Sequence, residues 1–259
     1  HIARLKKQPI LWGETKNCSY QYFFGRGVLS KQITKSRILI IGLGAIGSMV
    51  AHTLCRGGAL RIDLVDYDAK EPENVCRSEY NFDTGINDKV LELRTQLHNI
   101  SPFIETSGNS LITDAAKLFR EDQESKQKLK EYFEGYDLIF DCSADNDLAF
   151  LLHQFVPGKE LINLSISNHA QELVCAVNPN LYSNMMHIFS ILKKEEEPDL
   201  YNPTGCWNPT FKAGYNDIAV LVQYAIKQIN NSFTQEKPLR NFYLSINSEA
   251  DFQIQIKTF

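Results

Sequence analysis

Apolar residues follow two rhythms along this chain, and the first clear signal is an unbroken run. Ile38-Leu39-Ile40-Ile41 is short, continuous and mostly β-branched, the pattern of a strand buried on both faces. Ala45 to about Arg56 reads as a helix ended by Gly57-Gly58, and Leu60 to Val65 gives a second strand ending on Asp66. Asn87 to Ile100 reads as a helix, with Val90, Leu93, Leu97 and Ile100 on one face and Asp88 suited to its first turn. Pro102 stops it, and Phe103 to Ser107 predicts a third strand. Ile112 to Glu134 is charged and helical, its Glu121–Lys130 portion a solvated face. Tyr136 to Phe140 is another short buried strand, followed by a helix over Asp147–Val156. Leu161–Ser165 and Gln171–Val177 add two strands, the second closed by the turn signal Asn178-Pro179-Asn180. Leu181 to Pro209 is polar and Pro-containing, so a long irregular stretch is expected there. Asn216 to Asn230 returns to helical spacing at Ile218, Val222, Ala225, Ile226 and Ile229. The tail alternates, with Phe252, Ile254 and Ile256 against Gln253, Gln255 and Lys257, as a half-exposed hairpin does. That hairpin offers a docking edge for a partner strand or simply caps the sheet.

Chemistry enters where the first strand ends. Gly42, Gly44 and Gly47 stand in G-x-G-x-x-G spacing between a strand and a helix. The glycines let the backbone turn tightly and approach a phosphate, while the helix start offers free N–H groups and a positive dipole end. Asp66, 24 residues after Gly42, ends the second strand where a carboxylate can take hydrogen bonds from a ribose. The βαβ unit and the later strands predict an α/β fold. It is Rossmann-like and doubly wound, with a mostly parallel sheet, helices on both faces and antiparallel strands at the C-terminal side.

A dinucleotide-binding oxidoreductase needs no more than the glycines and the acid. This chain continues with Asp68, Asn74, Arg77 and Lys89, polar and cationic groups that suit a triphosphate better than a nicotinamide. A lysine in a helix's first turn opposes the helix dipole, so Lys89 there points to a nearby anion; otherwise it is a solvated surface lysine. The strand at 136–140 runs into Asp141-Cys142-Ser143-Ala144-Asp145-Asn146. Carboxylates at such a strand end, facing the glycine loop, can hold Mg²⁺ on phosphates, and Asp145 can equally cap the helix that follows.

GLGAIG, then DYD, then N-x-x-R, then a lysine a dozen residues on, and later DCSADN together resemble the ubiquitin-activating-enzyme-like adenylyltransferases of the ThiF, HesA and MoeB types. The resemblance runs from about Tyr22 to Asn230. It implies ATP and Mg²⁺ as cofactors, with Gly42, Gly44 and Gly47 on the phosphates and Asp66 on the ribose. Asn74, Arg77 and Lys89 neutralise the triphosphate, and Asp145 is the metal and catalytic carboxylate. The family commonly has Gln where Ser78 stands and one residue fewer between the acids of the DCSADN motif. It also implies an arginine on an N-terminal arm that reaches the partner subunit's ATP, a place that Arg26 can take; the other reading is an exposed turn arginine beside an aromatic cluster. A crossover loop at 181–213 would carry a cysteine that accepts the activated carrier, and Cys206 matches by position, or is simply present. The chain then divides into an arm, 1–35, and an adenylation domain, 36–259, that includes the loop and the hairpin at 240–259. The implied partners are a small ubiquitin-like or sulfur-carrier protein, activated at its C-terminal carboxylate, and a second copy of the chain as a homodimer.

Composition narrows the rest. Over 259 residues, 43% hydrophobic and 22% charged content is that of a globular chain with an ample core. Net charge −4 and a pI near 5.9 argue against nucleic acid or an anionic membrane as the main partner. No run approaches a membrane span and no signal peptide is seen. Six cysteines without a C-x-x-C pair read as reduced cytoplasmic thiols, with no structural zinc expected. The chain opens at His1 without Met, which leaves room for a further domain upstream. Two rivals to adenylation of a carrier stay open. An NAD(P)-dependent oxidoreductase would leave Asn74, Arg77, Lys89 and Asp145 without a joint role. A family member adenylating a modified tRNA nucleoside would favour a more basic surface.

Overall fold

The computed structural model describes residues 13–83, 85–109, 122–192, 213–247 and 251–259. In chain order the first strands are β1 (Arg37–Ile41), β2 (Arg61–Val65), β3 (Ala69–Lys70), β4 (Asn87–Asp88) and β5 (Gly108–Asn109). The others are β6 (Leu138–Asp141), β7 (Glu160–Ser167), β8 (Glu172–Val177), β9 (Phe242–Asn247) and β10 (Gln253–Thr258). The helices are α1 (Tyr20–Phe24), α2 (Lys31–Thr34), α3 (Ala45–Arg56), α4 (Lys89–Ile100), α5 (Gln123–Glu134), α6 (Asn146–Phe155), α7 (Leu181–Ile191) and α8 (Tyr215–Thr234).

Eight strands form one sheet in the order β10-β9-β8-β7-β6-β1-β2-β5, and β3 pairs with β4 in a separate antiparallel ladder. From β5 to β7 the strands are parallel; from β7 to β10 they are antiparallel. This is the mostly parallel, doubly wound sheet with an antiparallel C-terminal side that the sequence predicts.

The run at β1 explains the layering. Successive side chains alternate faces. Ile38 and Ile40 enter a core with Met49 and Leu54 of α3, Leu93 and Leu97 of α4, and Val222 and Ile226 of α8. Leu39 and Ile41 enter the opposite core with Phe133 of α5, Leu148 and Leu152 of α6, and Met185 of α7. Each such side chain contributes about 1.5–3 kcal/mol on burial, so β1 is held from both sides. The chain leaves β1 through α3 to β2 on one flank and returns to β6 on the other. The carboxyl ends of β1 and β6 are therefore the topological switch point, where an open α/β sheet has its crevice.

Three expectations move. The strand read at 103–107 is only a bridge at Glu105, and the regular ladder to β2 lies at Gly108–Asn109. Its carbonyls at Glu105 and Ser107 still accept from Ile62 and Leu64, so the segment lies where it was expected with a later register. The stretch read as irregular from 181 begins instead with α7. Leu181, Met185, Ile188 and Leu192 are buried at helical spacing, a stripe that the intervening Ser183, Asn184, His187 and Ser190 obscure. Helix α8 runs four residues beyond its expected end, to Thr234, and Phe233 in that extension is buried. Among the described residues no helix is long and apolar enough to cross a membrane.

Candidate active site

Two glycines shape the crevice. Gly42 follows β1 with φ +80°, a conformation side chains rarely adopt, and a Cβ there would lie 2.5 Å from the Cα of Ser143 beyond β6. A Cβ on Gly47 would overlap the carbonyl oxygen of Gly42. Loop, helix and β6 tip thus meet at backbone contact. Gly44 caps α3 without a side-chain hydrogen bond, and the first internal bond runs from Ser48 N to Gly44 O. The amides of Ala45, Ile46 and Gly47 precede it and face the crevice end of the helix, as phosphate binding requires.

Asp66, at the tip of β2, is buried and braces this loop. Its Oδ2 accepts from Leu43 N at 2.5 Å and its Oδ1 from Asp68 N at 2.8 Å. Burial pushes its carboxyl above the usual range, opposed by the charge of Lys89 and by those two amides. Lys89 is the first residue of α4 and is buried, with Nζ 2.9 Å from Asp68 Oδ2. The anion that its position called for is thus supplied within the chain by Asp68 and Asp66. Asn74 and Arg77 share the 3₁₀ turn Pro72–Arg77, and both are buried. Asn74 first serves that turn, its Oδ1 accepting from Glu71 N at 2.9 Å, while Ser78 Oγ donates to Asn74 O at 2.5 Å.

Opposite, β6 ends in Asp141, fully buried. Its Oδ1 accepts from Ser143 Oγ at 2.6 Å and its Oδ2 from Asn163 Nδ2 at 2.9 Å, with Ser165 Oγ on Asn163 Oδ1 at 2.8 Å. Burial raises the Asp141 carboxyl against these bonds. The chain then passes through Ala144 at φ +58° and reaches Asp145. Asp145 Oδ1 accepts from the amides of Asp147 at 2.9 Å and Leu148 at 3.1 Å, so it does cap α6. Among the described residues its Oδ2 takes no hydrogen bond, which leaves a carboxylate oxygen for a cation. The half-exposed loop carrying it shares the crevice with Tyr67. That hydroxyl is raised first by burial, then by the charges of Asp68, Asp66 and Asp145, with Lys89 opposing. Charges just beyond β2, at the start of α4 and in the β6–α6 loop thus all lie within electrostatic reach of that hydroxyl.

The gathered residues fit a metal-complexed polyphosphate. The amides of the loop and Lys89 suit phosphate oxygens, whereas the carboxylates of Asp66, Asp68 and Asp145 nearby would repel a bare anion. Among the described residues no cluster of three metal-ligating side chains exists.

Arg26 is exposed and outside this crevice. Tyr20 OH donates to Gly58 O at 2.6 Å and Leu29 N to Gly57 O at 2.9 Å, so the arm packs on the C-terminal end of α3. The glycine loop lies at the other end of that helix, about 18 Å away at 1.5 Å per residue. Within one chain the structure does not bring Arg26 to the other residues. Cys206 lies outside the described residues. Sequence reasoning passed over Asn163 and Tyr80, whose OH donates to Leu43 O at 2.7 Å. Both act through tertiary contacts; Asp68, read as one of the groups for the triphosphate, is here the partner of Lys89.

A family model described as the ThiF family matches residues 19–250. The ATP-dependent ubiquitin transferase-like protein Cap2 of Enterobacter hormaechei is 25% identical over 233 residues, covering 87% of this chain and 37% of that protein. The molybdopterin-synthase adenylyltransferase of Escherichia coli is 30% identical over 110 residues, covering 42% of this chain and 39% of that one. The chain thus spans well under half the length of these relatives. Among solved structures, E. coli MccB with ATP superposes with a TM-score of 0.57 at 16% identity, over 88% of this chain and 64% of that one. PaaA superposes with a TM-score of 0.64, also at 16% identity, over 99% and 79%. These two likenesses are of fold.

Proposed function

This chain belongs to the ThiF family, and on that premise we propose that it is an adenylyltransferase that activates a carboxylate with ATP. The observation that supports the reading is the meeting, at the switch point, of the glycine loop with the buried acid Asp66, and of Lys89 and Asp145 in the electrostatic surroundings of Tyr67. A dinucleotide oxidoreductase has no use for Lys89 and Asp145 together.

In this reading the loop amides hold phosphate oxygens and Asp66 takes the ribose hydroxyls on its remaining lone pairs. Arg77 and Lys89 neutralise the triphosphate, with Asn74 holding the turn that presents Arg77. Asp145 would hold Mg²⁺, and the ion would supply charge neutralisation for the phosphates. A substrate carboxylate attacks the α-phosphorus; the bond to the bridging oxygen breaks and pyrophosphate leaves, giving an acyl-adenylate. The fixed cations and amides stabilise the added charge without reorganising.

The substrate is the C-terminal carboxylate of a small ubiquitin-like or sulfur-carrier protein. The names of the relatives, a ubiquitin transferase-like protein and an adenylyltransferase for molybdopterin synthase, support this class. Cys206 then attacks the acyl-adenylate as thiolate, forming a thioester and releasing AMP. Two copies work together, Arg26 of each reaching the nucleotide of the other; its exposure away from its own crevice supports this.

The test is ligand-dependent melting. Mg-ATP at a hundred times its dissociation constant should stabilise the protein by about 2.7 kcal/mol, with NAD inert. Stabilisation by NAD and not by Mg-ATP would replace this reading with the oxidoreductase.

A further inference from the structure

The turn that carries Asn74 and Arg77 is held at both ends by one continuous series of polar contacts. Before the turn, Lys70 is buried; its Nζ lies 2.8 Å from Glu92 Oε2 on α4 and donates to Asn81 O at 2.7 Å. Gln96, one helical turn on, donates to Glu92 Oε1 at 3.4 Å. Its Oε1 lies 2.8 Å from His52 Nε2 on α3. His52 Nδ1 lies 3.2 Å from Glu79 Oε2, two residues beyond Arg77, outside hydrogen-bond geometry but within ion-pair distance when the ring is protonated. Glu79 closes the series: its Oε1 accepts from Tyr215 OH at 2.6 Å, and its backbone N donates to Ser48 Oγ at 3.2 Å.

Glu79 is the node. One carboxylate joins α3, which starts at the glycine loop, to the first residue of α8, and its own backbone leads straight to Arg77. Its side chain is 20% exposed and that of His52 is 11% exposed. Contact with His52 holds the Glu79 carboxyl below its usual range, against burial and with help from Tyr215 and Arg56. Its bond in turn pushes the Tyr215 hydroxyl up to about 12. Sequestered ionic series are seldom the cheapest way to fill space; apolar side chains of like volume do as well or better for stability. What such a series gives is a fixed geometry. None of Glu79, His52 and Tyr215 belongs to the set assigned to the nucleotide.

We propose that Glu79 is a positioning residue for ATP, fixing the Asn74–Arg77 turn against α3 and α8 so that Arg77 meets the triphosphate. This rests on the adenylation reading. It predicts a loss confined to the phosphate end of the ligand.

The experiment measures affinity for Mg-ATP and for adenosine in the wild-type chain, Glu79→Gln, Tyr215→Phe and the double variant. Glu79→Gln should weaken Mg-ATP about tenfold, a change of about 1.4 kcal/mol, and leave adenosine within about twofold. Tyr215→Phe, which deletes one half-exposed hydroxyl, should give a smaller loss of the same kind. The double variant should be no worse than Glu79→Gln alone, because both act through one contact. Equal losses for both ligands, or a lowered melting point with Mg-ATP affinity unchanged, would reduce Glu79 to a structural residue and overturn the proposal. The Tyr215→Phe arm decides the matter if Glu79→Gln does not fold. If the wild-type chain does not bind Mg-ATP, the adenylation reading falls and the proposal with it. If it binds and the variants do not discriminate, the proposal falls alone.

Discussion

Asp66 and Leu43 are joined by a 2.5 Å hydrogen bond, carboxylate Oδ2 to backbone amide, across the mouth of the crevice. The carbonyl of the same Leu43 takes the Tyr80 hydroxyl at 2.7 Å. The residue between the first two glycines is thereby fixed at both its polar groups, one by the tip of β2 and one by the segment beyond Arg77. The acid read from the sequence as a ribose ligand is also the brace of the glycine loop.

That double role predicts a double loss. Asp66→Ala leaves the buried Leu43 amide without its acceptor, which costs about 1–3 kcal/mol. Denaturant unfolding should show it, with an unchanged dependence on denaturant concentration. The same variant should lose Mg-ATP binding. A variant that binds Mg-ATP normally would remove Asp66 from the nucleotide site and leave it only the brace.

Much of this site was legible because its parts are local. The glycines, the acid at the tip of β2 and the cap of α6 each follow from a short stretch whose element type sets the geometry. Asn74 was legible as a residue and misjudged in emphasis, since its side chain first closes its own turn. Glu79, His52 and Tyr215 were not legible. They are 27 and 136 positions apart in the chain, and only packing of α3 and α8 against the turn brings them together. Helix α7 was missed for a different reason: its buried stripe of Leu181, Met185 and Ile188 is interleaved with polar residues that read as loop.

Lys89 should set the acid limit of nucleotide binding. Burial raises the Asp66 carboxyl, and the charge of Lys89 is the largest influence opposing it. An acid raised in the folded state keeps its proton to higher pH, so its ionised form costs the fold stability above the unfolded value of about 3.9. Lys89→Gln removes the opposing charge and should raise Asp66 further. Mg-ATP affinity, titrated from about pH 4 to 8, should then fail at a higher pH than in the wild type. An acid limb at the same pH in both would show that Asp66 does not titrate with binding.

Cys206 can be separated from the adenylation step by chemistry alone. Adenylation requires only the nucleotide groups and the substrate carboxylate; thioester formation adds the thiol. Cys206→Ser should retain carrier-dependent exchange of pyrophosphate into ATP and lose the adduct that dithiothreitol cleaves. An adduct that survives the substitution, still cleaved by dithiothreitol, would place the thiol elsewhere, and loss of exchange would give Cys206 a part in adenylation itself.

Asp145 poses the sharper question, because the structure gives its carboxylate a structural task on one oxygen and leaves the other without a hydrogen bond among the described residues. As cap of α6 it satisfies the amides of Asp147 and Leu148. Alanine there should cost about 0.5–2 kcal/mol of stability whatever happens to activity, so loss of activity in Asp145→Ala cannot by itself identify a metal ligand. Asparagine separates the tasks. Its amide oxygen keeps the cap, and it removes the charge that a divalent ion needs. Asp145→Asn should melt near the wild type yet lose both pyrophosphate exchange and the added stabilisation that Mg²⁺ gives to ATP over ATP alone. If exchange persists in the asparagine variant, that other oxygen has no metal to hold, and the buried Asp141, whose two oxygens are engaged by Ser143 and Asn163, would have to give up those bonds to take its place.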